Sequence, residues 1–167
     1  MNKLKYKGLT LDSFSKYGSF ANMINPKTCK VGIEPDEFYR DMIKQDLGQA
    51  NQICFSTSRV MKRPLIIDNL EYHTYTGEGM MPLDGDILLC FAPASANDDL
   101  PIDQIECFYA SKGTMLVIHP GVWHCAAFPY DRKCVNVLIA LPERVYANDC
   151  KVVNLANEQW LEIENHI

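Results

Sequence analysis

Short apolar runs separated by turn residues dominate the chain from residue 52 onward. Ile53–Val60 is rich in strand formers, and Leu65-Ile66-Ile67, Ile87–Phe91, Ile105–Tyr109, Met115–Ile118 and Val135–Ile139 follow it. Asp84-Gly85-Asp86, Ser95–Asp99, Ser111-Lys112-Gly113 and Pro120-Gly121 lie between these runs and read as turns. Many short strands at near-regular spacing predict an all-β domain of closed or double-sheet architecture. Before residue 52 the pattern is weaker. Residues 11–22 are predicted to begin with a short helix, capped by Asp12 or Ser13, with Phe14 and Tyr17 on one face before Gly18. Residues 34–47 fit a helix or a strand equally well, and Asn157 to Ile167 reads as a short terminal helix. No repeat, low-complexity tract or linker divides the chain, so residues 1–167 are expected to form one domain.

At 167 residues and 19.0 kDa the chain can bury a full core. The net charge of -5 and the lack of a basic block argue against nucleic acid as a partner. No apolar run is long enough to span a bilayer, and no apolar segment follows the basic start, so neither a membrane partner nor a signal peptide is expected. Seven widely spaced cysteines, none in a CxxC pair, predict reduced thiols in a cytoplasmic protein.

Two stretches carry candidate chemistry. Glu71, His73 and Glu78 fall in the first, and His124 closes the second, Gly113 through His124. Glu71 and His73 are two apart, so on a strand they share a face. Two imidazoles and two carboxylates are the donor set for a divalent metal ion: Ni, Zn or Mn. The spacing E-x-H-x4-E-x6-G, then G-x7-G-x2-H, resembles the paired motifs of the cupin superfamily, with Glu71 where the first histidine would stand. Leu70-Glu71-Tyr72-His73, Met81-Pro82-Leu83-Asp84-Gly85-Asp86, Val122-Trp123-His124 and the early Phe14–Gly18 further resemble the ureidoglycolate lyase (ureidoglycolate hydrolase) family.

That resemblance implies a cupin-like double-stranded β-helix, or jelly-roll barrel, with a few short peripheral helices. It also implies a homodimer and cleavage of ureidoglycolate to glyoxylate and urea in allantoin breakdown. Arg59 matches an arginine that precedes the first run and would hold the carboxylate of a small substrate as a bidentate fork. Glu78, if not a ligand, would act as general base, and His119 is a second proton carrier. Two positions depart from the family pattern: Glu78, where members carry Gln, and Cys125-Ala126-Ala127, where they carry a bulkier run. Another metal-dependent cupin enzyme, an isomerase or dioxygenase, and a non-enzymatic small-molecule-binding cupin are the alternatives.

Overall fold

A computed structural model describes residues 2–164. Its strands are β1 (Asn2–Leu4), β2 (Tyr6–Gly8), β3 (Gly18–Asn22), β4 (Cys54–Met61), β5 (Ile66–Ile67), β6 (Asn69–Tyr72), β7 (Glu78–Pro82) and β8 (Ile87–Ala92). They continue with β9 (Glu106–Ala110), β10 (Thr114–Ile118), β11 (Trp123–His124), β12 (Phe128–Pro129), β13 (Cys134–Leu141), β14 (Lys151–Asn154) and β15 (Leu161–Ile163). Two single-turn helices, α1 (Leu11–Phe14) and α2 (Val145–Asn148), complete the main elements.

A five-stranded sheet runs β3-β10-β7-β13-β4, and a larger one runs β14-β6-β11-β8-β9-β2, with β12 also paired to β8. Together they form the expected cupin-like barrel. A small third sheet, β1-β15-β5, packs outside the larger one. The central strand β8 explains the layering. All six of its residues are buried, so its period-two alternation feeds two cores. Ile87, Leu89 and Phe91 face the barrel interior with Phe14, Tyr17, Phe108 and Leu116. Leu88, Cys90 and Ala92 face outward onto Ile67, Leu161 and Ile163. Phe14 meets Phe91 and Phe108 edge-on, at 5.4 Å between centroids in each case, which is a favoured aromatic geometry.

Three expectations outside the central strands are corrected in part. The short helix at the start of 11–22 is a single turn, and Gly18–Asn22 is taken by β3. Its cap is Thr10, whose Oγ accepts from the Ser13 amide at 3.1 Å, rather than Asp12 or Ser13. Residues 34–47 form neither a helix nor a named strand. Val31 and Phe38 make an isolated bridge, and the rest is held by side-chain bonds such as Gln45 Nε2 to Ala140 O, 2.7 Å. The terminal helix reduces to a 3-10 turn at Asn157–Gln159, followed by β15; residues 165–167 of that expectation lie outside the described residues. The apolar alternation of Leu161 and Ile163 pairs with β1 and β5, and that tertiary pairing overrides the weak helical signal.

Candidate metal centre

The two motif stretches meet through backbone register. In the β11–β6 ladder His124 lies opposite Glu71, and in the β10–β7 ladder Ile118 lies opposite Glu78. Gly121, with φ +79°, lets the Pro120-Gly121 turn fold back so that its N–H donates to His73 O at 2.7 Å. One motif's glycine thus fixes the other motif's histidine. Gly77 is equally constrained, since a Cβ there would lie 2.5 Å from Ile118 O.

His73, Glu78 and His124 are all buried, and one donor atom from each lies within 4.8 Å of the others. Glu78 Oε2 is 3.0 Å from His73 Nε2 and 2.8 Å from His124 Nε2. The opposite ring nitrogens fix the tautomers. His73 Nδ1 is 2.6 Å from Asp149 O, and His124 Nδ1 is 3.0 Å from Val122 O. A carbonyl can only accept, so each Nδ1 carries its hydrogen, and each ring, once free of a proton at Nε2, turns a lone pair there toward the same carboxylate. Three acceptors converge on one point, an arrangement that a positive species must hold together. His124 Nε2 is buried, and although close to Glu78 it lacks a well-directed hydrogen bond.

The electrostatics of the metal-free site make the same demand. Burial alone would lower the His124 pKa, but the charge of Glu78, 2.8 Å away, outweighs it and raises it to about 9. Burial would likewise raise Glu78, yet the facing imidazoles hold it at about 2. The residues therefore fit a divalent cation bound by two nitrogens and one carboxylate oxygen.

Glu71 stands apart from this trio. Its Oε1 is 3.7 Å from His124 Nε2, and its side chain is 37% exposed. The Cys150 thiol donates to its other oxygen at 3.1 Å; burial and the Glu71 charge push that thiol up to about 12. Both carboxylates face a cavity of about 420 Å³. Its far wall includes Ser56 and Ser58 from β4, Val137 and Ile139 from β13, and Arg144. Ala126 and Ala127 also line it, so the small residues that depart from the family pattern leave room there.

Two candidate residues are not brought to this site. Arg59 is exposed on β4, where side chains alternate: Ser58 and Val60 face the cavity, so Arg59 points away and donates through Nε to Asn136 Oδ1 at 3.0 Å. His119 is exposed at the turn before Gly121, and neither it nor Arg59 lines the cavity. Conversely, sequence reasoning missed Asp149, Cys150 and Arg144. Besides its carbonyl bond to His73, Asp149 accepts from the Thr74 and Tyr75 amides at 2.8 and 2.9 Å. These three residues lie outside both motifs, so spacing carried no signal for them. The alternating serines of β4 could have been read from the strand pattern. Next to the ligands, buried Trp123 donates from Nε1 to Ser95 Oγ at 2.9 Å, and its ring meets Tyr72 edge-on at 4.5 Å.

Among curated proteins no relative matches the chain. Of solved structures, a dTDP sugar isomerase from Desulfovibrio desulfuricans G20 is similar at a TM-score of 0.50 and 12% identity, over 85% of this chain and 87% of that one. An R92A mutant of the oxalate decarboxylase OxdC of Bacillus subtilis matches at 0.43 and 17% identity, over 62% of this chain and 24% of that one. The isomerase likeness supports the fold alone. The family model described as ureidoglycolate lyase matches residues 1–162, and the chain belongs to that family.

Proposed function

We propose that the protein is a metal-assisted carbon–nitrogen lyase that releases urea and glyoxylate from ureidoglycolate. The observation that carries this reading is the convergence of His73 Nε2, His124 Nε2 and Glu78 Oε2 on one point, beside a free carboxylate, in a chain of this family. His73, His124 and Glu78 are the metal ligands; Ni, Zn and Mn all suit the donor set. A bound divalent cation would supply Lewis-acid polarisation of the substrate's carboxylate and carbinol oxygens.

The roles of the two carboxylates then separate by burial. Glu78 is enclosed between both imidazoles and is committed to the metal. Glu71 is half-open to the cavity and is the general base, in place of Glu78. It takes the proton from the carbinol hydroxyl as the carbon–oxygen bond becomes double. The electron pair of the breaking carbon–nitrogen bond leaves on the urea nitrogen, which receives the proton back from Glu71. No net charge or redox equivalent is consumed. The Cys150 thiol, weakly acidic here, keeps Glu71 turned toward the cavity as a hydrogen-bond donor.

The test is release of urea and glyoxylate by protein loaded in turn with Ni, Mn or Zn. Metal-dependent release is the expected result; release that is absent with every metal, or unaffected by chelation, sinks the reading. We further propose a homodimer. The edge strand β4 leaves Phe55 and Met61 exposed, and such an edge needs cover. Sedimentation at micromolar concentration should give twice 19.0 kDa. No described helix is long and apolar enough to cross a membrane.

A further inference from the structure

We infer that Arg144, not Arg59, is the anion anchor of the cavity, and that together with the metal centre it selects small monoanionic hydroxycarboxylates. This rests on the metal-site reading above. Among the described residues Arg144 is the sole lysine or arginine that lines the cavity, which also holds Glu71 and Glu78. It makes no hydrogen bond or ion pair with another described side chain, whereas the nearby Arg63 is committed to Ala126 O and Ala127 O. An unpaired guanidinium facing a cavity with two carboxylates is available for a ligand rather than for the fold.

The backbone supports the same view. Arg144 has φ 62° and ψ 22°, the left-handed conformation that a residue with a Cβ seldom adopts. Glycine would suit that position better on conformational grounds alone. The other described non-glycine residues with positive φ, Asp41, Asn97 and Asp98, are of the types that tolerate it, so Arg144 stands out. The conformation is fixed by its surroundings: the Arg144 carbonyl accepts from the Ala147 and Asn148 amides at 2.9 and 3.0 Å, starting α2 after the short connection 142–144 from β13.

Charge then defines the ligand class. A divalent cation beside ionised Glu71 and Glu78 leaves the metal pole neutral. Arg144 makes the loaded cavity singly positive, which matches one carboxylate. Ser56 and Ser58 on the same wall offer hydroxyls to the remaining polar atoms of the ligand. A dianion would leave one charge uncompensated, and a neutral polyol would leave the guanidinium unpaired.

Glycolate, the smallest 2-hydroxymonocarboxylate, is the probe, titrated calorimetrically into metal-loaded protein. Arg144→Gly is the informative variant because it relieves the left-handed backbone while removing the fork. It should keep or raise the melting temperature, keep its metal content, and bind glycolate at least about tenfold more weakly. Arg144→Lys should fall between the two, and Arg59→Ala should bind glycolate like the wild type. Wild-type glycolate affinity in Arg144→Gly, weakened affinity in Arg59→Ala, or no glycolate binding by the loaded wild type each overturns the inference. If glycolate binding depends on Arg144 but ureidoglycolate yields no urea, the anchor stands and the lyase reading fails.

Discussion

The two poles of the cavity are built on different principles. The metal pole is buried: Glu78 and His124 sit on β7 and β11, and His73 follows directly on the end of β6, held there by the Gly121 amide. The opposite rim, residues 142–150, is a connection with one helical turn; Arg144 and Tyr146 on it are exposed. Yet the rim reaches back to the buried pole. Asp149 holds the His73 ring through its carbonyl and the following loop through its carboxylate. Chemistry that must be rigid sits on strands, and selection of what enters sits on a segment that can vary without disturbing the barrel.

The largest effect expected from breaking this division is at the buried pole. His124→Ala or Glu78→Gln should abolish stoichiometric metal binding, measured by metal content after dialysis. Next, Glu71→Gln should leave the metal content intact and lower turnover by roughly 10²–10⁴-fold, the usual range for a lost general base. Loss of metal in that variant would instead make Glu71 a fourth ligand, as the spacing of the motif first indicated. A smaller effect tests whether the rim supports the pole. Asp149→Ala keeps the carbonyl that meets His73 but frees the Thr74 and Tyr75 amides, so it should weaken metal affinity by less than the about 10–100-fold typical of a lost outer-shell partner, and Asp149→Asn should recover part of it.

The effects per unit step are smallest in pH. Because His124 has a raised pKa of about 9 in the metal-free site, the metal must displace its proton below that pH. Metal affinity should therefore climb by about tenfold per pH unit up to roughly 9 and then level off. Stability of the metal-free protein should move the other way. The raised His124 contributes stability that is complete below its ordinary 6.5 and lost as pH rises through about 9. The depressed Glu78 contributes stability present above its ordinary 4.5 and lost as pH falls toward about 2. Thermal melts of chelated protein across this range, with His124→Ala as control, check both signs.

The difference between the poles also explains what could be read from the chain. Strands β4, β8, β9, β10 and β13 were visible because their apolar runs are bounded by Gly, Asp and Pro turns. The convergence of His73, Glu78 and His124 was visible because strand periodicity and two glycine turns fix it. The strand β15 was not, since it depends on β1 and β5, one of them far off in sequence at the start of the chain. Arg59 misled for a related reason. Its sequence position matched, but period-two alternation turns it outward while Ser58 and Val60 turn in. Arg144, Asp149 and Cys150 reach the site only through the path of the chain after β13, which no local pattern encodes.

Trp123 gives the centre an optical handle. The chain has two tryptophans, and this one is buried one residue from His124, with its ring against Tyr72. Trp160 is partly buried and bonded to Leu155 O in the outer core. Paramagnetic Ni or Mn seated between the histidines should quench Trp123 emission while Zn leaves it bright, and Trp123→Phe should erase that contrast. The occupancy and exchange of the metal can thus be followed by intrinsic fluorescence, without a label and without turnover.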